Sequence, residues 1–267
     1  MTNRKVPPGS DFSLADLPTH TKEGAPGDKE ETGAALDSLV ETISSYQERL
    51  WAEQEQSLLV VLQAMDTAGK DGTIRAVFSG VNPQGVHVTS FKTPTSPELA
   101  HDFLWRIHQA TPAKGEIGVF NRSHYEDVLV VRVKNIVPEN VWRERYELIN
   151  NFERQLTHGS TTVIKFFLHM SKEEQAERLQ ARLDDPTKHW KFNAGDLKER
   201  ALWDDYQAAY QDAIARTSTE TAPWYVIPSD RKWYRNWAVA KVIAETLEKM
   251  DPQYPAATDI DPNLEIV

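Results

Sequence analysis

The chain has 267 residues, 40% of them apolar, enough to bury a sizeable core and too many for a disordered or fibrous protein. Forty Asp and Glu against thirty Lys and Arg leave a net charge of −10. That balance disfavours broad attraction to nucleic acid or an anionic membrane and demands a local patch for any polyanion. No cysteine occurs, which excludes a disulfide framework, a thiolate nucleophile and a cysteine zinc site. Nothing after Met1 reads as a signal peptide, and no stretch approaches the roughly 18 apolar residues of a membrane span. The expectation is a soluble cytoplasmic protein.

Residues 1–33 are rich in Pro, Gly, Lys and Glu without periodicity and read as a loosely attached arm. Leu36, Leu39, Val40, Ile43 and Leu50 then recur at helical spacing, predicting an amphipathic helix over 34–55. The run 58–62 is continuously apolar, as in a buried parallel strand. Further strands are predicted at 86–91, 116–120, 161–168 and 224–227, with segments between them long enough for crossover helices. About five strands alternating with helices describe an α/β, doubly wound parallel sheet. Ser96-Pro97 and Pro138 are read as helix openings and Ser171 to Glu174 as a capping box. Two later apolar stripes, through Leu202, Tyr206, Ala209 and Ala213 and through Trp233, Trp237, Ala240, Ala244 and Leu247, are read as core faces. The domain therefore spans 34–250, and a proline-containing tail, 251–267, runs over its surface.

After the first strand comes Gln63-Ala64-Met65-Asp66-Thr67-Ala68-Gly69-Lys70-Asp71-Gly72-Thr73, with a helix predicted from near Ile74. A loop of small residues between strand and helix can bring the N–H groups of residues 68 to 73 onto phosphate oxygens, and Lys70 can neutralise charge that moves during transfer. An ordinary strand-to-helix turn with a solvated lysine fits the Gly-Lys pair alone. Two positions depart from the usual phosphate-loop pattern, since Ala64 stands at the first glycine and Asp71 at the Ser/Thr. The usual hydroxyl ligand for Mg²⁺ is thus missing, and Asp66 is the candidate to hold the metal.

The third strand delivers Asn121-Arg122-Ser123-His124-Tyr125-Glu126 to the sheet edge where open α/β proteins bind ligands. Arg122 can grip a phosphate there, and Asn121 stands where phosphate-transfer enzymes commonly place an aspartate. His124 is read as a hydrogen-bonding loop residue rather than a base. Farther on, Arg178 and Arg182 share a helix face. A Pro-Thr-Lys-His-Trp-Lys segment follows, and with a lid over about 182–196 the expected phosphate contacts are Arg178, Arg182, Lys188 and Lys191. A solvated charged helix is the alternative for that segment alone. The histidines lack metal-site spacing, and no H-E-x-x-H or G-x-S-x-G occurs.

Met65 to Ile74, Phe120 to Glu126 and Asp185 to Lys191 together resemble the family 2 polyphosphate kinases, over about residues 34–250. The resemblance implies a P-loop kinase-like fold with a helical lid and Mg²⁺-dependent phosphoryl transfer between inorganic polyphosphate and nucleotides. It also implies a homo-oligomer. Carried over by motif, Asp66 resembles the acidic loop residue that positions metal and phosphate, Lys70 the loop lysine, Arg122 the strand-edge arginine and Arg182 the lid arginine. Many members have aspartate at position 121 and asparagine at 126. The Asn121 and Glu126 present here resemble the class III branch, which accepts nucleoside mono- and diphosphates, and make these two residues the expected nucleotide contacts. An ATP-dependent nucleoside monophosphate kinase and a non-catalytic polyphosphate or nucleotide sensor are the alternatives; the first is expected to keep Ser or Thr at position 71.

Overall fold

In a computed structural model, which describes residues 4–256, Asp28 and Glu31 form a reciprocal capping box, so α1 (Lys29–Glu53) starts five residues before the predicted position. The cap outweighs the cost of taking Gly33 into the helix. Five strands follow: β1 (Ser57–Ala64), β2 (Val86–Ser90), β3 (Ile117–Asn121), β4 (Thr161–His169) and β5 (Trp224–Pro228). All are parallel, in the order β2-β3-β1-β4-β5. The central strand β1 is buried along its whole length because both faces are covered. Leu59 and Val61 point into one core, and Leu58, Val60, Leu62 and Ala64 into the other.

The second core is closed by α1, by α2 (Lys70–Phe78) and by α10 (Lys232–Met250), which packs along α1. The first is closed by α5 (Val130–Val133), α6 (Glu139–His158) and α9 (Trp203–Thr217). Between β2 and β3 the connection contains only two single turns, α3 (Ser96–Leu99) and α4 (Trp105–His108). Thr95, not Ser96, caps α3, because its hydroxyl accepts from Glu98 N while the Glu98 carboxylate accepts from Thr95 N. Between β4 and β5 lie α7 (Lys172–Asp184), a 3₁₀ segment (Pro186–Lys191) and α8 (Ala194–Ala201) before α9. At the start of α7 only half of the predicted capping box forms: Ser171 accepts from Glu174 N, but Asp230 takes the Ser171 N–H and Arg178 takes the Glu174 carboxylate.

The predicted loose arm is instead docked. Val6 N donates to Trp224 O at 2.8 Å, Lys5 bridges antiparallel to Tyr225, and Val6 and Leu14 are buried in the first core. Gln211 clasps the segment, accepting from Leu14 N and donating to Phe12 O. At the other end Pro252 is buried and Gln253 N donates to Glu53, so the tail begins packed. Most of it lies outside the described residues. Among the described residues no helix is long and apolar enough to cross a membrane.

Candidate active site

The order of strands sets the loops after β1 and β3 side by side, with Leu62 paired to Asn121 and Arg122 N donating to Leu62 O at 3.0 Å. After β1 the chain turns sharply, with Thr67 at φ 68° and Gly69 at φ 104°. Gly69 has a second reason to be glycine: a Cβ there would lie 2.0 Å from Arg235 Nη1. The helix α2 begins at Lys70, four residues earlier than predicted, so residues 70–73 form its first turn. Thr73 N closes that turn on Gly69 O at 2.9 Å, and the N–H groups of residues 70–72 lack partners within the helix, which is what an anion site at a helix start requires.

Two buried arginines hold this loop from behind. Arg235 donates from Nη1 to Ala68 O at 2.7 Å. Arg178 bonds through Nε to Glu174, through Nη1 to Thr67 O and Ala68 O, and through Nη2 to Ser229 O and Asp230 O. With all five donors of its guanidinium engaged, Arg178 is not a phosphate contact in this conformation, contrary to the sequence expectation. It braces the loop that is expected to bind phosphate. Lys70 is also buried, and its Nζ donates to Ala64 O at 3.1 Å. Burial, then Arg122, lowers its pKa, while Asp66, Glu126 and Asp71 offset part of that.

At the end of β3, Arg122 adopts φ 61°, a left-handed conformation uncommon outside glycine. Its Nη2 donates to Asp66 Oδ1 at 2.9 Å. Asp66 Oδ2 has no protein donor among the described residues. Glu126 stands in the same charge cluster: burial raises its pKa, opposed by Arg122, Lys70 and a hydrogen bond from Gln63. Between Arg122 and Glu126, residues 123–125 are anchored in the core. Ser123 Oγ accepts from Gln63, His124 Nε2 lies 3.2 Å from Glu153, and Tyr125 Oη meets both Glu153 and Lys165. Burial alone would raise the Glu153 carboxyl, but Lys165 and His124 outweigh it and hold it below its usual range.

These elements open on a cavity of about 700 Å³. Met65, Asp66, Arg122 and Glu126 form one end, and Phe91, Leu99, Val130, Val131, Ile136 and Val137 give it an apolar wall. Asn193, Gly195, Asp196 and Glu199 close it from the lid side, with Tyr206 and Tyr210 of α9 beside them. An inner acid, Asp127, accepts from Arg145 at 3.0 Å, yet burial pushes its pKa up to about 6. The volume and the mixture of apolar wall and few polar groups suit a nucleotide-sized ligand.

Asp66, Lys70, Arg122 and Glu126 thus converge as the sequence predicts, and Ala68, Gly69, Asp71, Gly72 and Thr73 lie in the loop and the first turn of α2. Other expected contacts do not join them. Asn121 donates to Asp71 at 2.6 Å and does not line the cavity. Arg182 is tied to Lys191 O and to Asp196 Oδ2. Lys188 pairs with Asp185, and Lys191 stacks on Trp190, both in an exposed stretch. Arg235, Asp127, Arg145 and Tyr210 were not legible from pattern; the one hint is the charge of Arg235 inside an otherwise apolar helix stripe.

Among the described residues no group of three or more His, Asp or Glu could cage a metal. Mg²⁺ needs no such cage, because it keeps waters and commonly binds through one or two carboxylates and the substrate phosphates. The free Asp66 oxygen fits that requirement.

A family profile described as Polyphosphate kinase 2 (PPK2) matches residues 27–255. An AMP/ADP-polyphosphate phosphotransferase of Meiothermus ruber is 56% identical over 96% of both chains. An ADP-polyphosphate phosphotransferase of Rhodopseudomonas palustris is 48% identical over 86% of this chain and 84% of its own. The crystal structure of Polyphosphate Kinase 2 from Arthrobacter aurescens TC1 superposes with a TM-score of 0.94 at 46% identity, covering 97% of this chain and 92% of that one.

Proposed function

The chain belongs to the polyphosphate kinase 2 family, and on that footing we propose that it transfers the terminal phosphoryl group of inorganic polyphosphate to AMP and ADP, and catalyses the reverse. The observation that carries this reading is the Asp66–Arg122 pair facing a nucleotide-sized cavity beside the buried Lys70. A loop that only gripped phosphate would gain nothing from a carboxylate, whereas a metal-dependent transfer needs one where the hydroxyl of the common loop pattern is absent. The 56% identity to a relative named for both acceptors supports the dual specificity.

Phosphoryl transfer through a loose transition state requires alignment and charge neutralisation more than covalent help. Lys70, held in place by Ala64 O, and Arg122, held by Asp66, supply two cations that need no reorganisation during transfer. Mg²⁺, held by Asp66, would screen the phosphate oxygens from one another. Arg182 reaches the reacting phosphates if the lid turns it away from Asp196, and the nucleoside occupies the apolar wall.

The assay supplies ADP, long-chain polyphosphate and Mg²⁺ without ATP. ATP should form, and with AMP in place of ADP, ADP should form. Lys70→Ala should lower turnover on the order of 10²-fold or more in a folded protein. An ATP-dependent monophosphate kinase would make no ADP from AMP and polyphosphate, and any ATP it formed from ADP would need no polyphosphate and would come with an equal amount of AMP. A sensor would make nothing at all.

A further inference from the structure

Tyr210 lies on α9 with its ring packed on Phe167, centroids 4.4 Å apart, and only 4% of the residue is exposed. A buried phenol normally finds a hydrogen-bond partner. Tyr125, Tyr146, Tyr206 and Tyr234 all do: their hydroxyls meet Glu153, Arg132, Glu199 and Glu23 O respectively. Among the described residues no protein group hydrogen-bonds with the Tyr210 hydroxyl. The oxygen is not sealed in the core either, for the residue lines the cavity and the atom is absent from the fully enclosed unpartnered ones. It is a polar group fixed by a buried ring and presented to a ligand.

The position of the hydroxyl identifies that ligand's reactive end. It lines the cavity together with Glu126, Arg122 and Asp66. Burial raises its pKa well above 10, with Glu126 and Asp66 adding to the rise and Arg122 opposing it. It is therefore a proton-bearing donor at any working pH, beside two carboxylates that do not accept from it in the free protein. A nucleoside base belongs at the apolar wall; the group that belongs here is a phosphate. A neutral donor can bind a phosphate oxygen without adding to the cations already crowded around Lys70.

We propose that the Tyr210 hydroxyl donates a hydrogen bond to a non-bridging phosphate oxygen of the acceptor nucleotide and so helps set where its attacking phosphate stands. The assignment rests on the nucleotide kinase reading above, and makes Tyr210 a substrate contact outside the three sequence motifs.

Tyr210→Phe is the direct test, because it removes one oxygen and keeps the ring packing. An unpartnered hydroxyl contributes nothing to folding, so the melting temperature of Tyr210→Phe should equal or exceed that of the parent. Its kcat/KM for AMP and for ADP should fall about tenfold or more, the loss expected for one hydrogen bond to a charged group, with the KM for polyphosphate within about twofold. Calorimetric titration with AMP should show a matching loss of affinity without any turnover. Unchanged acceptor kinetics and AMP affinity would overturn the assignment, as would a change confined to polyphosphate KM. A fall in melting temperature would overturn it too, since that would reveal a partner in the free protein. A parent that binds AMP yet makes no ATP from polyphosphate would refute the functional reading instead, and the AMP titration would still decide the role of Tyr210.

Discussion

Arg178 and Arg235 meet at one carbonyl, Ala68 O, and each carries a full charge in a place with little water. Burial, then Arg178, pushes the pKa of Arg235 down to about 9, a sign of how costly this pairing is. The return is orientation: with the Thr67 and Ala68 carbonyl oxygens held toward the arginines, the first-turn N–H groups of α2 are left for an anion. Lys70 and Asp66 could be read from the sequence because a phosphate loop has a spacing. Arg235 could not, because a buried charge in a helix stripe is specified by its neighbours in space. Glu126 is the residue at which acceptor choice can be tested. A monophosphate must sit one phosphate deeper than a diphosphate to react at the same point, which brings its purine amino group toward the carboxylate. Glu126→Ala should lower kcat/KM about tenfold or more for AMP and far less for ADP. Parallel losses for the two acceptors would assign Glu126 a general structural or metal role.

Between α7 and α8 the chain is held by few contacts. Every residue from Pro186 to Trp190 is exposed, Trp190 to 78%. The segment is tied to the end of α7 through Arg182 to Lys191 O and His189 to Leu183 O, while Arg182 also joins α8 at Asp196. That economy suits an element that moves, since low-stability segments are those with few buried contacts. The cations the sequence assigned to phosphate, Lys188 and Lys191, face solvent here, and only a rotation of this element brings them to the cavity. Limited proteolysis reads the motion directly: cleavage between Arg182 and Gly195 should slow several-fold when polyphosphate and nucleotide are both present. Equal cleavage rates with and without ligands would leave the segment as a solvated connection. The loop after β3 shows the opposite design. His124, Tyr125, Glu153 and Lys165 are wholly buried and bonded to one another, holding Arg122 in its left-handed conformation.

Across the whole molecule, β1, β3, β4 and β5 were legible because parallel strands covered on both faces read as apolar runs, whereas the edge strand β2 is largely exposed; all five fall within two residues of their predicted limits. The docking of residues 4–28 was not, because two anchoring residues, Val6 and Leu14, make no period. That segment also helps bury His169, whose ring lies by the main chain of Leu14 and Leu17, and burial lowers its pKa from 6.5 to about 4. Asp127, at the cavity, shifts the other way, from 3.8 to about 6. Their effects on stability therefore oppose each other. Between about pH 6.5 and 4 the unfolded chain binds a proton at His169 that the folded protein refuses, so acid destabilises. Between about pH 6 and 3.8 the folded protein binds a proton at Asp127 that the unfolded chain refuses, so acid stabilises. Each amounts to about 3 kcal/mol at full extent, and in the parent they largely cancel. The variants should separate them in urea unfolding at about pH 7 and pH 5. His169→Gln should lose less stability than the parent on acidification, and Asp127→Asn should lose more. Curves for both variants parallel to the parent would mean that neither group is shifted, and that His169 is reached by water beneath the N-terminal segment.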